Sequence, residues 1–471
     1  MGENSGEPVT FGKKELKKLK KEIEGKALVP GNWGYDRASE VWDSTGFKQH
    51  PALTVVPKKA ADIQVAVSFA REHNLPIAVQ SGGHGHPHPA NEAMFINFEK
   101  MTAIEVDKEK ALARLEPGVL LKDLVKEAYK HDLAPLSGFS QSVGVTGYML
   151  AGGISWLTRK YGAGASSIRA VELVTADGFF RRVTETEDPD LFWGLRGAGA
   201  NYGVVTALEC ALYPHKEVFG GHVVYPVKDV KEVLDAYVDF TRTAPPELTS
   251  AVRITPFPFG EILPEPEAGK TAVIIMACYC GDPGEGERLL LPLRTIVKPL
   301  RDSFKKMPFS KVGKISDDPP VAPPFHLYSD GGALTSLTSA DLENIEKVAG
   351  NPDSGIAVTE IRHLGGALAA QPEGEMAFSF REPNFYIYMQ AAAPHPENLA
   401  KSRASMDHLL ESLKPSMPGR LLLNFIDGFG KVGLDRTKAA YYPVTFERLR
   451  DLKSRYDPAN VFRFNHNIPP R

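Results

Sequence analysis

Glycine is concentrated in four short clusters in the first half of this chain, and these clusters restrict its possible folds more than any other feature. Of 471 residues, 42 are glycine. The clusters read SGGHGHPH at 81–88, GVTGYMLAGG at 144–153, GAG at 162–164 and GLRGAGANYG at 194–203, and no repeat period relates them. Because glycine adopts positive φ and lets a ligand approach the main chain closely, such clusters predict loops that hold a ligand through backbone N–H groups.

The overall composition predicts a globular protein. A net charge of −3 provides no field that would gather nucleic acid, and no apolar run has the length of a membrane span. The first residues lack the apolar stretch of a secretory signal, so we expect a cytoplasmic protein without nucleic-acid or membrane partners. Three cysteines, Cys210, Cys278 and Cys280, exclude a disulfide scaffold. The sequence does not predict an oligomeric state.

The hydrophobic pattern around the clusters alternates between helices and strands. In the first half it predicts a basic amphipathic helix at 11–24, a strand at 53–57, a helix at 60–73, a strand at 76–80, an antiparallel meander at 93–117, a helix at 122–131 and a hairpin at 171–183. In the second half it predicts strands at 220–226, 271–280, 356–361 and 385–390 between helices at 227–243, 284–298, 340–349 and 396–413. The second half therefore resembles a sheet backed by helices on one face.

The cluster at 197–203 is similar to a dinucleotide fingerprint, but its surroundings argue against that function. A Rossmann fingerprint follows a strand and opens a helix, which places the pyrophosphate at the helix N-terminus. Here the pattern predicts a helix at 190–196 before the cluster and a strand at 204–212 after it, and the spacing is one residue too long. We therefore do not expect NAD to bind through this motif.

The segment SGGHGHPHP at 81–89 allows three interpretations. Its histidines could bind zinc, although no thiolate or carboxylate lies nearby at ligand spacing and two prolines prevent a helix that would pair the side chains. A surface loop with incidental histidines is the second interpretation. The third is a backbone cradle, because Gly82 and Gly83 follow a strand and can turn N–H groups inward. With the similar surface at 144–153, and no lysine of the phosphate-loop type in either segment, the third interpretation predicts a dinucleotide held by backbone rather than by charge.

Further short motifs follow one another along almost the whole chain. They lie at 57 and 62–63, 79–84, 116–118, 143–147, 151–153, 161–162, 174–178, 190–197, 202–206, 364–367, 456–462 and 465–468. In this order they resemble the berberine-bridge-enzyme-like FAD-linked oxidases of the vanillyl-alcohol oxidase family of flavoproteins. The resemblance implies an α+β fold, with a two-part FAD-binding domain and an inserted substrate domain built on an antiparallel sheet backed by helices.

The resemblance also implies domain boundaries. We expect a helical lead-in at 1–30, an FAD-binding domain at 31–219, a substrate-binding domain at 220–430 and a C-terminal segment at 431–471 that returns to the FAD-binding domain.

In this family, the histidine of the GGH motif is bonded covalently to the 8α-methyl group of FAD, and that residue is His84 here. Many members add a second link from a cysteine at the position of Ser140, so we expect one link through His84 and no cysteinyl link. Gln80 replaces a common arginine, which removes a possible charge for the pyrophosphate. The implied FAD-binding residues are His84, Gln80, Ser81, Gly82, Gly83, Gly85, Ser140, Val143, Gly144, Val145, Gly147, Gly152, Gly153, Val205, Asn465 and Asn467. We expect no metal.

Candidate catalytic residues lie on two predicted strands. Glu360 and Arg362 share one strand face, so Glu360 could take a substrate proton, while Arg362 could anchor an anionic substrate or hold Glu360 ionised. A cross-strand ion pair on a solvated face is the alternative. On the next strand, the acid used as base by some family members falls near Met389. Tyr386 or Tyr388 could replace it, or either could be a buried, hydrogen-bonded tyrosine.

The resemblance implies an FAD-dependent oxidase that takes a hydride from a small alcohol, amine, sugar or secondary metabolite and passes the electrons to O2, giving H2O2. In plant-type relatives, a valine at the position of Val143 leaves room for O2 above the flavin, whereas a leucine closes it. Two alternatives stay open: an oxidative cyclase or dehydrogenase of natural-product biosynthesis, and a flavin-binding protein with a degenerate site.

Overall fold

The computed structural model describes residues 11–471 except 44, 46–47, 86–87, 257–270, 320, 373, 379 and 427–431. In this part of the chain the helices are α1 (Lys13–Glu22), α2 (Tyr35–Ala38), α3 (Ala60–Glu72), α4 (Leu121–Tyr129), α5 (Val145–Leu150), α6 (Thr158–Tyr161), α7 (Pro189–Leu195), α8 (Val230–Thr241), α9 (Pro283–Arg294), α10 (Ser339–Ala349), α11 (Ala400–Leu413), α12 (Leu434–Ala439) and α13 (Pro443–Tyr456). The strands are β1 (Lys26–Leu28), β2 (Leu53–Val56), β3 (Ile77–Gln80), β4 (Met94–Asn97), β5 (Ile104–Asp107), β6 (Leu112–Leu115), β7 (Ile168–Val174), β8 (Phe180–Thr184), β9 (Val204–Ala211), β10 (Glu217–Pro226), β11 (Leu248–Pro256), β12 (Thr271–Tyr279), β13 (Arg301–Asp302), β14 (Lys305–Pro308), β15 (His326–Leu334), β16 (Val358–His363) and β17 (Phe385–Ala393).

The first sheet has the strand order β1-β2-β4-β3. Strands β2, β4 and β3 run parallel, and β1 joins β2 antiparallel. Helices α1 and α3 share a hydrophobic core with this sheet. The carboxylate of Asp62, fully buried in the first turn of α3, accepts hydrogen bonds from the N–H groups of Glu24, Gly25 and Lys58 at 2.9–3.0 Å. This carboxylate therefore fixes where α3 begins relative to β1.

The second sheet is antiparallel, with the order β5-β6-β9-β7-β8. The predicted hairpin is confirmed as β7 and β8, in which Val171 lies opposite Val183. The predicted meander at 93–117 is wrong in one respect, because β4 pairs parallel within the first sheet while β5 and β6 belong to the second. Helix α7 precedes the 197–203 turn and β9 follows it, which confirms the element order that argues against a dinucleotide fingerprint.

The third sheet is antiparallel, with the order β13-β10-β12-β11-β16-β17-β15 and with β14 paired to β10. Helices α8, α9, α10 and α11 pack on one face of this sheet, which confirms the predicted sheet backed by helices. The other face packs against side chains from the first half of the chain, such as Phe139 and Trp156. The sequence pattern does not predict two of its long strands, β11 and β15.

The C-terminal segment returns to the second sheet, where residues of α13 join the hydrophobic core. Lys453 and Asp457 form a fully buried ion pair at 2.7 Å. Lys453 Nζ also donates to the carbonyl oxygens of Asn201 and Phe462 at 2.8 and 3.0 Å, so the charge is fully partnered. The pair ties this segment to the 197–203 turn. None of the helices in the described residues is long and apolar enough to cross a membrane.

Candidate active site

A cavity of about 860 Å³ lies between the first half of the chain and the helix-free face of the third sheet. This volume is in the range of small-molecule and cofactor sites. Two walls and a short segment between them, residues 423–426, line it. We call the lining residues between 42 and 205, with those between 462 and 466, the glycine wall. The lining residues between 222 and 392 form the charged wall.

Two glycine-rich loops meet at the glycine wall. A Cβ atom on Gly82, just after β3, would lie 2.5 Å from the backbone N of Gly144, which precedes α5. A Cβ on Gly144 would in turn lie 2.4 Å from the backbone N of Gly82. Neither position can carry a side chain without backbone movement. Gly147 is different, because it lines the cavity and a Cβ there would have no described atom within 4 Å apart from its own helix. The two predicted cradles therefore form one surface with open space in front of Gly147.

No Lys, Arg, Asp or Glu occurs among the described residues of the glycine wall. Several of its buried polar atoms have no hydrogen-bond partner among the described residues: Trp42 Nε1, Gln80 Oε1, Thr146 Oγ1, Tyr148 Oη and Asn465 Oδ1. An unpartnered buried polar atom costs about 1–3 kcal/mol, so these atoms fit a ligand that supplies matching donors and acceptors. The heterocycle edges and ribityl hydroxyls of FAD are such groups, and the open space in front of Gly147 fits them.

His84 projects from the loop after β3. Its ring stacks on Trp42 with centroids 4.0 Å apart and planes at 24°. Its Nε2 lies 2.8 Å from Ser142 Oγ, which is itself 3.1 Å from Ser140 Oγ. Burial lowers the pKa of His84 to about 4, so the imidazole is neutral at physiological pH and keeps a lone pair on one nitrogen. His84 is therefore a competent nucleophile on the glycine wall.

Most of the predicted FAD-binding residues line the cavity: Gln80, Ser81, Gly82, Gly83, His84, Gly85, Ser140, Val143, Gly144, Gly147, Val205 and Asn465. Four others, Val145, Gly152, Gly153 and Asn467, do not line it. Val145 instead belongs to the core around the second sheet, and a Cβ on Gly152 or Gly153 would meet the ring of Phe378 or Tyr148.

One histidine of the predicted loop, His86, lies outside the described residues. In the part of the chain that the structure describes, no group of three or more His, Cys, Asp or Glu side chains is placed to hold a metal ion.

A chain of ion pairs crosses the charged wall. The carboxylate of Glu360 lies 2.6 Å from Arg253 Nη2 on one side and 2.6 Å from Arg362 Nε on the other. Arg253 Nη2 also lies 3.0 Å from Asp318 Oδ1. Burial opposes the ionisation of Glu360, but the charges of Arg362 and Arg253 outweigh it and lower its pKa to about 2. The predicted alternative of a cross-strand ion pair is therefore confirmed between Arg253 and Glu360, but its solvated setting is wrong, because Glu360 is only 1 % exposed.

Arg362 stands where the two walls meet. Its guanidinium carbon lies 4.0 Å from the ring centroid of Phe139 and 4.6 Å from that of Phe425. Phe139 stacks in turn on Trp156 with centroids 3.7 Å apart. A guanidinium held between aromatic faces keeps a fixed plane, so Arg362 presents its charge in one orientation.

The two predicted tyrosines differ in position. Tyr388 is half-buried and lines the cavity, and its Oη accepts a hydrogen bond from Gln390 Nε2 at 3.2 Å. It lies opposite Glu360 in the antiparallel register. Tyr386 is fully buried, packs near the ring of Phe425 and does not line the cavity. Of the pair, Tyr388 is the one that a substrate in the cavity can touch.

Several residues of the site are not predicted from the sequence, among them Arg253, Trp42 and Ser142. Arg253 lies on β11, whose alternation of Val252, Arg253 and Ile254 is a strand signal that could have revealed it. Trp42 and Ser142 matter through their contacts with His84, and no local pattern indicates those contacts.

Comparison with known proteins agrees with this geometry. Residues 51–184 match the family described as FAD binding domain, and residues 423–469 match the family described as Berberine and berberine like. The chain is 28% identical over 425 residues to an FAD-linked oxidoreductase of Dictyostelium discoideum, with 89% of each chain covered. It is 29% identical over 468 residues to (R)-6-hydroxynicotine oxidase of Paenarthrobacter nicotinovorans, with 95% of this chain and 97% of the relative covered.

Solved structures show the same fold. The 6-hydroxy-D-nicotine oxidase from Arthrobacter nicotinovorans superposes with a TM-score of 0.83 at 26% identity, covering 95% of this chain and 98% of that one. BBE-like 1 of Physcomitrella patens superposes with a TM-score of 0.83 at 20% identity, covering 97% of this chain and 99% of that one. With both family segments in place around a glycine-built cavity that fits FAD, the chain is an FAD-linked oxidoreductase similar to the berberine-bridge-enzyme-like oxidases of the vanillyl-alcohol oxidase family.

Proposed function

We propose that this protein is an FAD-dependent oxidase that removes a hydride from a small alcohol, amine, sugar or secondary metabolite and uses O2 as electron acceptor, giving H2O2. The observation that carries the proposal is that one cavity joins an uncharged wall suited to FAD with a charged wall suited to a polar substrate. Bound FAD supplies the hydride acceptor and passes the electrons on to O2. A cytoplasmic location is also proposed, on the sequence alone.

We assign Glu360 a positioning role rather than that of the base. A carboxylate with a pKa of about 2 binds a proton too weakly to take one from an alcohol. Its two ion pairs instead hold Arg253 and Arg362 in place. Arg362, fixed between Phe139 and Phe425, is then available to orient an electron-rich group of the substrate.

Tyr388 is our candidate for handling the substrate proton. Its Oη lies on the cavity side of β17 and is held by Gln390. Oxidation of an alcohol requires loss of the O–H proton along with the hydride, and the phenolate form of Tyr388 can accept that proton. An amine carries its own lone pair and can release a hydride without such a base. The relatives named as nicotine oxidases support placing amines first in a substrate panel.

We further propose that FAD is attached covalently through His84 alone. The neutral imidazole supports this assignment, as does the presence of a serine, Ser140, at the position of the second anchor in many relatives. The described cysteines Cys210, Cys278 and Cys280 are buried and none lines the cavity, so none is placed to provide a second link.

Reoxidation by O2 tests the proposed oxidase activity. The purified protein is reduced without air and mixed with aerated buffer, while flavin absorbance and peroxide are followed. We expect rapid reoxidation with one H2O2 formed per flavin. Val143, which lines the glycine wall, should control access of O2, so Val143→Leu should slow reoxidation sharply.

Val358→Leu is the matched control, because it makes the same substitution on the charged wall of the same cavity. It should change the kinetics with substrate but leave the rate of reoxidation by O2 unchanged. Slow reoxidation of the wild-type protein would contradict the proposal and point to a dehydrogenase or oxidative cyclase with another electron acceptor.

A further inference from the structure

We propose that Ser142, backed by Ser140, is a positioning residue that selects the nitrogen with which His84 bonds to FAD. This inference rests on the covalent attachment proposed above. It assigns a role to two hydroxyl groups that form a continuous hydrogen-bonded chain with His84, at 2.8 Å and 3.1 Å.

Two contacts hold the imidazole of His84. Stacking on Trp42, with centroids 4.0 Å apart, fixes the plane of the ring. The hydrogen bond between Nε2 and Ser142 Oγ fixes its rotation within that plane. His84 and Ser140 line the cavity, whereas Ser142 does not. The hydroxyl of Ser142 therefore acts through His84 rather than by touching a ligand in the cavity.

The hydrogen bond at one imidazole nitrogen sets the chemistry of the other. If Ser142 Oγ accepts from Nε2–H, the unshared electron pair lies on Nδ1, which becomes the nucleophile. Ser142 can then donate its own proton to Ser140 Oγ. Ser140 thus completes the chain from the position that a cysteine occupies in doubly linked relatives.

The attachment step balances with O2 as oxidant. Attack by Nδ1 forms one C–N bond at the 8α-carbon, and one C–H bond breaks there. The electron pair of that C–H bond goes to O2. One proton from the methyl group and one from Nε2–H complete H2O2, and the Nε2 proton leaves through Ser142 and Ser140.

The first test uses the wild-type holoprotein. The flavin-bearing peptide is isolated after proteolysis, and NMR identifies the imidazole nitrogen bonded to the flavin. We expect Nδ1. A bond to Nε2 would overturn the inference and leave covalent attachment intact, whereas wild-type protein without acid-stable flavin would overturn the proposed attachment itself.

The second test measures the rate of attachment. Full-length protein is produced in a riboflavin-starved host and supplied with FAD and O2, and acid-precipitable flavin is followed over time. Loss of one aligning hydrogen bond in Ser142→Ala should slow attachment about ten-fold, and Ser140→Ala should slow it less. Ser142→Thr keeps the hydroxyl and should restore a rate close to that of wild type.

Ser166→Ala provides the control, because among the described residues this hydroxyl bonds only the carbonyl oxygens of Ala163 and Tyr161, and Ser166 does not line the cavity. It should not change the rate. A wild-type rate in Ser142→Ala would overturn the inference. If that variant fails to bind FAD at all, the nitrogen identified by NMR in the wild-type protein decides.

Discussion

The two walls of the cavity are built from different parts of the polypeptide. The glycine wall is mostly backbone, carries no Lys, Arg, Asp or Glu among its described residues, and leaves several buried polar atoms without protein partners. The charged wall is made of side chains, and its central carboxylate, Glu360, is paired on both sides. One wall is incomplete without a ligand, whereas the other is already satisfied by the protein.

The difference suits the glycine wall to holding a cofactor and the charged wall to orienting a substrate. A cofactor that stays bound can be held by a fixed backbone surface, since that surface does not need to exchange partners. A substrate that comes and goes is better met by side chains whose charges balance each other when the site is empty. Changes to the glycine wall should therefore affect flavin first, and changes to the charged wall should affect stability and turnover.

The largest effect is expected at Glu360. Glu360→Gln leaves Arg253 and Arg362 facing each other without the charge between them, which should lower the free energy of unfolding by about 3–5 kcal/mol. Denaturant unfolding measures this loss. The control Glu209→Gln breaks a partly exposed pair with Arg182 and should cost less than about 1 kcal/mol. Equal losses of unfolding free energy in the two variants would contradict the buried, doubly paired state of Glu360.

The next effect concerns turnover. Tyr388→Phe should lower kcat for an alcohol substrate about 100-fold, because it removes the oxygen that we propose accepts the substrate O–H proton. With an amine substrate, kcat of the same variant should fall much less. Tyr386→Phe, on the same strand but outside the cavity lining, serves as the control and should leave the alcohol-to-amine ratio unchanged. Steady-state kinetics with both substrate types would reveal whether the two tyrosines differ in this way.

Two glycines sharpen the comparison within the glycine wall. Gly144→Ala places a methyl group 2.2 Å from Ser81 Oγ. It should destabilise the protein by about 1–3 kcal/mol, because the two loops must move apart to admit it. Gly147→Ala meets no described atom apart from its own helix and replaces a helical glycine, so it should stabilise the flavin-free protein by up to about 1 kcal/mol. The same methyl group projects into the space assigned to FAD and should weaken FAD binding. Thermal unfolding and FAD titration separate the two outcomes.

The last prediction concerns the pH dependence of stability. His84 has a folded pKa of about 4, below its ordinary value of 6.5, so its contribution to stability is complete above pH 6.5 and is lost as pH falls toward 4. The contribution of Glu360, with a pKa of about 2 against 4.5, is lost only between pH 4.5 and 2. Flavin-free protein should therefore lose about 2–3 kcal/mol more stability than its His84→Ala variant between pH 6.5 and 4. Identical pH profiles for the two proteins would refute this assignment.

The sequence predicts the glycine wall better than the charged wall, and the reason is physical. Gly82 and Gly144 are required by close backbone approach, a local constraint that leaves a local motif. The pairing of Arg253 with Glu360 depends on the register between β11 and β16, two strands far apart in the chain. No spacing in the sequence encodes that register. The same holds for β4, whose parallel pairing is decided by distant strands rather than by its own residues.

The alternation of side chains along a strand remains a sound guide once the strand is known. It places Glu360 and Arg362 on one face and Tyr388 on the matching face of β17, as the structure has them. The alternation does not predict how deeply each side chain is buried. Tyr386 shares a face with Tyr388, yet it is fully buried next to Phe425, because burial depends on which distant segments pack over the strand.

Intact-mass spectrometry of the acid-denatured wild-type protein tests the central claim most directly. If the glycine wall holds one FAD tethered through His84 alone, the mass will equal the polypeptide plus one FAD less two hydrogen atoms. Peptide mapping will then place the addition on His84, and His84→Ala will show the bare polypeptide mass. An unmodified wild-type mass, or an addition that persists in His84→Ala, would contradict the account.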